Sequence, residues 1–295
     1  MTAVRIRLGY AAIALDVPEG SPNRTVRAQT LAALPGDDAR RHRLRQVAAQ
    51  NLHTTLRILR YNAAEGIPLY RLTSRLIPFA THPEWGWDWE AELQQELAQI
   101  RALVLRRGLR LSVHLDHFVV LNSASPGVRE RSLAEVRHQA RLLQALAGPG
   151  ANAVLVTHIG ARGADPARAV DRFVDVVTRL EPAVRRLLAV ENDDVSFDPA
   201  HALEAALATW PPGRTPKLHL SSPVSAGSPR DHADGIRPED FDRLAAALRP
   251  LGRDCDVLLE AKAKDRALKA LAAHLAGRPG YRVHRTGEIE LVDAG

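Results

Sequence analysis

The chain of 295 residues has a single cysteine, Cys255. One thiol cannot build an internal disulfide framework, and it suits a reducing cytosol. No apolar run reaches the roughly 18 residues that a membrane span needs. The opening MTAVRIRLGY lacks the long apolar core of a signal peptide and reads as a first strand. The expectation is a cytoplasmic protein with no membrane partner. Internal repeats, low-complexity stretches and convincing linkers are also missing, so residues 1–295 read as a single domain. No Ser–His–Asp or reactive-cysteine arrangement is evident. Lysine is scarce beside arginine, and there is no basic tail.

What is present is a basic, apolar-rich chain. The net charge is +6 and 45% of residues are hydrophobic, enough for one large core. A pI near 10.0 suits a polyanionic partner such as nucleic acid. An arginine-rich coding bias would give the same figure. With the basic residues scattered, any DNA would bind a folded face.

One pattern recurs along the chain: a short strand with a polar residue at its end, then a longer helical stretch. The strands are RIRLGYA, IPLYRLTS, LRLSVHL, NAVLVTHIG, LLAVEND, PKLHLSS and DVLLEAK. Amphipathic segments such as 128–146, 165–188 and 239–251 lie between them, with apolar residues at i, i+3, i+4 and i+7. Alternating β and α elements predict an α/β fold with a parallel sheet and covering helices. The Pro/Gly/Ser stretches at 122–127 and 222–230 read as loops.

The strands end in Tyr10, Arg71, His114, His158, Glu191, His219 and Glu260. In a TIM (β/α)₈ barrel such residues converge on one mouth. A lone buried histidine is usually a satisfied core residue. Five His and Glu endings on successive strands point instead to a metal site. Imidazole and carboxylate without thiolate suit Zn2+, Mn2+ or Fe2+. A multi-metal site of this kind clamps both oxygens of a phosphodiester displacement, so a basic protein carrying one is a nuclease candidate.

RLGY at 7–10, the long stretch 51–83, DWEAEL at 88–93, LSVH at 111–114, THIG at 157–160, ENDD at 191–194, PKLHLSS at 216–222 and EAKAKD at 260–265 occur in that order. Together they resemble the UV damage endonucleases, over most of the chain. The resemblance implies an endonuclease IV-like TIM barrel with up to three divalent metal ions. Mn2+ is the expected occupant, with Zn2+ and Mg2+ as alternatives. It implies nicking of duplex DNA 5′ to UV photoproducts (cyclobutane dimers and 6-4 photoproducts) and to some other lesions, leaving a 3′-hydroxyl and a 5′-phosphate. The enzyme would be a monomer acting on nucleoid DNA.

Carried over position by position, the metal ligands are His114, His158, Glu191, His219, His232 and Glu260. Lys217 matches a lysine that can be carboxylated. His114, His158, Glu191, Glu260 and Lys217 form the expected catalytic set, and the chemistry implied is metal-assisted hydrolysis. His117 and Phe118 stand where the family has a Gln–Tyr pair that fills the gap left by a flipped lesion. Tyr10 matches a tyrosine of the lesion pocket, while Ala14 replaces an expected asparagine. Arg71, Ser74 and His82 beyond strand 2, with Lys262 and Lys264, are candidates for DNA contacts. Asp116 reads either as a loop-shaping acid or as one that braces a metal ligand.

One feature of the family is missing: a sixth strand ending in Asp-x-x-His. Asp198 and His201 imitate that spacing, but they follow Glu191 too closely for a parallel crossover. Asp198 and Pro199 read instead as a helix start. A βα unit of roughly 30 residues is expected to be absent between Phe197 and Asp198. Either this is a deletion, or the folded protein carries a segment that this sequence omits; the second is the expectation. Two other functions fit the same residues. One is a metal-dependent sugar isomerase or epimerase; the other is a lesion-binding protein that has lost catalysis.

Overall fold

Each apolar run with a polar end folds as a strand. In the computed structural model, which describes residues 3–148, 152–160, 165–191, 199–225 and 227–293, the chain alternates strand and helix. β1 (Val4–Ala11) leads through α1 (Ala28–Ala32) and α2 (Gly36–Glu65) to β2 (Leu69–Leu72). Next come α3 (Trp89–Glu92), α4 (Gln94–Arg107) and β3 (Arg110–His114), then α5 (Pro126–Ala147) and β4 (Val154–His158). After α6 (Pro166–Thr178) and α7 (Pro182–Arg185) the chain enters β5 (Leu188–Glu191). α8 (Pro199–Ala208), β6 (Lys217–Leu220), β7 (Pro223–Ser225) and β8 (Ser228–His232) follow. α9 (Pro238–Leu248), β9 (Cys255–Leu259), α10 (Lys264–Leu275), β10 (Tyr281–Arg285) and β11 (Glu288–Leu291) complete it.

Parallel ladders run in the order β5–β4–β3–β2–β1–β9–β6. Helices cover one face, as parallel strands require. The α/β architecture expected from the sequence is present as a barrel-like parallel wall. Helix ends follow local chemistry. Gly66 and Gly108 close α2 and α4 in the left-handed conformation, and Asp165 caps α6 by accepting from Arg168 N with Pro166 at the first position. The segment 165–188 is not one helix: α6 stops at Thr178, and Pro182, which cannot continue a helix, restarts it as α7. In RLGY, Gly9 is needed where β1 meets β2; a Cβ there would lie 2.4 Å from the Leu69 carbonyl oxygen.

The wall is open between β5 and β6. No ladder joins these two strands among the described residues. Ile6, Leu8, Val113, Leu155 and Val257 are fully buried, whereas Leu188, Leu218 and Leu220 are half-buried and Val190 is 48% exposed. This seam is where the sequence predicts an absent βα unit. The junction at Phe197–Asp198 lies outside the described residues, but α8 begins at Pro199, which leaves no room for a strand and crossover after Glu191.

Two hairpins were not expected. The stretch 222–230, read as a loop, contains β7 and most of β8, paired antiparallel with Ser225 opposite Ser228. A glycine-bearing turn permits this, and the flanking residues are too polar to announce a strand. At the other end, β10 and β11 pair antiparallel, and β11 docks antiparallel on β1, with Ile6 opposite Ile289. No helix of the described residues is long and apolar enough to cross a membrane.

Candidate metal centre at the strand ends

Side chains alternate along a strand, and that parity builds the site. Arg110, Ser112 and His114 share one face of β3; Lys217 and His219 share one face of β6; Asp256, Leu258 and Glu260 form the matching series at β9. Low in the interior, Asp256 is 1% exposed and accepts from Arg7 Nε at 2.9 Å and Arg110 Nε at 2.5 Å. Two residues further along each strand, the same faces carry the histidines and glutamates.

Glu191 is the centre of the cluster. Its Oε2 lies 2.5 Å from His114 Nε2 and 3.8 Å from His158 Nε2, and its Oε1 lies 2.7 Å from His219 Nδ1. Candidate ligand atoms of His114, His158 and Glu191 all lie within 4.8 Å of one another. The His114 and His158 rings are 4.9 Å apart. A second group adjoins: His219 Nδ1 is 3.6 Å from Glu260 Oε1, and His232 Nε2, at the end of β8, is 3.5 Å from Glu260 Oε2. Arg71 Nη1 donates to Glu260 Oε1 at 2.6 Å.

The electrostatics follow from this crowding. Burial raises the Glu191 pKa, but hydrogen bonds from His114 and His219 outweigh it and hold the carboxyl well below its ordinary value. Glu260 is likewise lowered: burial raises it, while His219 and Arg71 more than compensate. Burial and the neighbouring His114, His117 and His219 lower the His158 pKa against the pull of Glu191. Burial brings Lys217 down to about 7, with Arg110 and Arg71 adding and Asp256 opposing. The Lys217 Nζ is buried without a hydrogen-bond partner.

The residues fit a divalent cation. His114 Nδ1 lies 2.8 Å from the Leu115 carbonyl, so an N–H there donates to it, and Nε2, which hydrogen-bonds Glu191 in the metal-free protein, is the nitrogen that would turn its lone pair to a cation on losing its proton. That is the tautomer a metal-ligating histidine needs. Nitrogen and oxygen donors without sulfur suit Mn2+, Fe2+ or Zn2+.

The remaining predicted residues divide by position. Phe118 is 68% exposed on the rim. His117 is also exposed but stacks on His158, with ring centres 5.2 Å apart. Beside them lies a cavity of about 800 Å³, lined in part by Leu115, His117, Val120, Ile159 and Val170, with His158 and Glu191 at one side. Lys262 is exposed, and Lys264 is half-buried with its pKa lowered by burial and by Arg71. Ser74 is tied to Asp116. His82 builds its own loop, its Nδ1 accepting from Trp85 N at 3.2 Å. Tyr10, expected at a lesion pocket, is fully buried in this structure, its hydroxyl donating to Asn62 Oδ1 at 2.6 Å and its ring edge-on to Tyr70. With Ile6 and Leu8 it takes the helix-facing side of β1, so it packs β1 against α2. Asp265 and Arg214 escaped the sequence. Asp265 is fully buried and accepts from Leu15 N, Asp16 N and Tyr61 Oη. Only its place in the chain after EAKAK hinted at a role.

Parallel strands whose carboxyl ends gather histidine and glutamate define an α/β protein of TIM-barrel type with a candidate divalent-metal centre. The model of the family UV-endonuclease UvdE matches residues 6–209 and 201–291. The chain belongs to that family. The UV DNA damage endonuclease of Bacillus pumilus (strain SAFR-032) is 33% identical over 97% of this chain and 99% of its own length. That of Halalkalibacterium halodurans is 30% identical over 92% and 95%. Among solved structures, that of SacUVDE covers 89% of this chain and 95% of its own, with a TM-score of 0.77 and 23% identity. Endonuclease IV from Thermus thermophilus covers 90% and 98%, with a TM-score of 0.51 and 16% identity.

The alignment with the Bacillus pumilus relative runs over 319 positions, more than the 295 residues of this chain. At least 24 positions therefore have no counterpart here (319 − 295). Residues 201–209, within and just after α8, fall in both family matches. Both facts agree with the break in the sheet between β5 and β6.

Proposed function

We propose that this protein is a DNA repair endonuclease that nicks duplex DNA on the 5′ side of UV photoproducts, leaving a 3′-hydroxyl and a 5′-phosphate. The observation that carries the reading is the convergence of His114, His158 and Glu191, with His219 and Glu260 beside them, in a chain of the UvdE family. These residues and His232 would hold up to three divalent ions, Mn2+ first among them. Such ions, when bound, lower the pKa of a water and offset charge on the phosphodiester.

The chain's own residues do the rest. Arg71 fixes the Glu260 carboxylate through its ion pair. Lys262 and Lys264 offer cations to the DNA backbone near the mouth. Phe118 fills the space of an extruded lesion, whose weakened stacking reduces a flipping cost of a few kcal/mol, and the adjoining cavity gives the flipped base somewhere to go. Lys217, with its pKa brought down to about 7, holds a substantial share of neutral amine near neutrality, the form that takes up CO2 as a carbamate. A single domain acting as a cytoplasmic monomer on duplex DNA completes the reading.

UV-irradiated supercoiled plasmid with Mn2+ should relax, chelator should stop it, and Glu191→Gln should abolish it. An oligonucleotide with one cyclobutane dimer should be cut 5′ to the lesion with the stated ends. Failure to bind or cut irradiated DNA would overturn the proposal. The open seam favours a second reading, lesion binding without incision, which retention of irradiated DNA with no nick would establish instead.

A further inference from the structure

We infer that Arg214 is a clasp standing in for the missing ladder between β5 and β6, and that it positions Glu191 against His219. Along the seam β5 is held by backbone only on its β4 side and β6 only on its β9 side, among the described residues. Among the described residues, the hydrogen bonds that cross it come at two levels. At the carboxyl ends, His219 meets Glu191. At the feet, the Arg214 guanidinium reaches from the turn before β6 to the carbonyls at the starts of β4 and β5. Its Nη2 donates to Ala153 O at 3.0 Å and lies 3.5 Å from Leu187 O, and its Nη1 donates to Arg186 O.

The turn carrying Arg214 is itself braced. Arg253 donates to Leu207 O at 2.5 Å, Trp210 O at 3.1 Å and the Arg214 carbonyl at 3.2 Å. The Arg214 guanidinium lies over the Trp210 ring, 5.6 Å from its centre. Its backbone is therefore fixed to the β9 side of the seam while its side chain grips the β5 side. A planar fork of five donors can take several carbonyls at once; a lysine ammonium cannot match that geometry. β5 and β6 are four residues each, about 13 Å long. Fixing both at the foot sets the relative height of the side chains at their ends. Arg214 is thus a positioning residue, acting through the two strands.

Hydrogen exchange on metal-free protein tests the clasp independently of the metal reading. In Arg214→Ala and Arg214→Lys, amides of 188–191 and 217–220 should exchange at least about tenfold faster, while those of β2 and β3 stay unchanged. Mn2+ affinity, measured by electron paramagnetic resonance, should fall about tenfold in both. Arg278→Ala, which breaks a surface pair with Asp242, serves as a control that moves neither. Inserting a βα unit of roughly 30 residues between Phe197 and Asp198, so that a ladder can form on both β5 and β6, should make Arg214→Ala silent in both measurements. Uniform or unchanged exchange in the Arg214 variants overturns the clasp. Selective exchange with unchanged Mn2+ affinity overturns its link to the site, and leaves the metal proposal standing.

Discussion

The Ser74 hydroxyl donates to Asp116 Oδ2 at 2.9 Å, so the loop after β2 is fastened to the loop that carries His117 and Phe118. Gln139 of α5 donates to the Ser74 carbonyl at 2.7 Å, and Val119 N donates to the Asp116 carbonyl at 2.9 Å. Three elements thereby hold the rim in one place. Asp116→Ala should cost about 1 kcal/mol of that order and raise KM for dimer-containing duplex about three- to tenfold, with kcat changed less than about twofold. Steady-state incision kinetics check this; a loss confined to kcat would contradict it.

Phe118 is a cleaner test because it is exposed and supports little else in the fold. Phe118→Ala should leave the melting temperature nearly unchanged, since exposed substitutions fall within about 0.5 kcal/mol. Affinity for lesion-containing duplex should drop by about 1–3 kcal/mol if the ring stacks in the gap. Fluorescence anisotropy against matched undamaged duplex should show the loss on damaged DNA alone.

Glu191 gives the metal-free protein a defined acid response. Its folded pKa is depressed, so it contributes stability above the unfolded carboxylate value of about 4.3. That contribution is lost as pH falls through the folded value. Glu191→Gln keeps the volume but not the charge. Wild type should melt higher than the variant near neutrality, and the difference should shrink as pH drops below about 4. Melting curves on chelator-treated protein at stepped pH measure it.

His138 adds a second acid response at higher pH. It is 6% exposed, packs edge-on against Trp89 and has no hydrogen-bond partner at either ring nitrogen. Burial, helped by Arg141, pushes its pKa down to about 4. The unfolded chain takes a proton near pH 6.5 and the folded one resists until about 4. Stability is therefore full above about 6.5 and declines by about 3 kcal/mol as pH falls to about 4. His138→Leu should flatten denaturation midpoints over that window.

The strand-end chemistry was legible because it is local: a short apolar run and the residue that closes it name both the strand and the donor. His114, His158, Glu191, His219 and Glu260 meet for that reason. The break after Glu191 was legible too, from the few residues left before Pro199. The burial of Tyr10 was legible as well: in VRIRLGYA it shares parity with Ile6 and Leu8, which places it against the helices. The β7–β8 pairing had no apolar alternation to betray it. Arg214 had no signal at all, since its carbonyl partners lie up to 61 residues away and nothing in its own neighbourhood requires them.

β1 takes its partners from the far end of the chain: β9 along one edge, and β11 beside β2 along the other. A ribosome working at about 5–20 residues per second needs about 15–60 s to make a chain of this length. For nearly all of that time Val4, Ile6 and Leu8 have been made while 255–259 and 288–291 have not. Until the last few dozen residues emerge, β1 has only β2, at Gly9–Ala11, to pair with, and its first half has no sheet partner. Val4, Ile6 and Leu8 are therefore among the first core residues made and among the last to gain their full set of sheet partners.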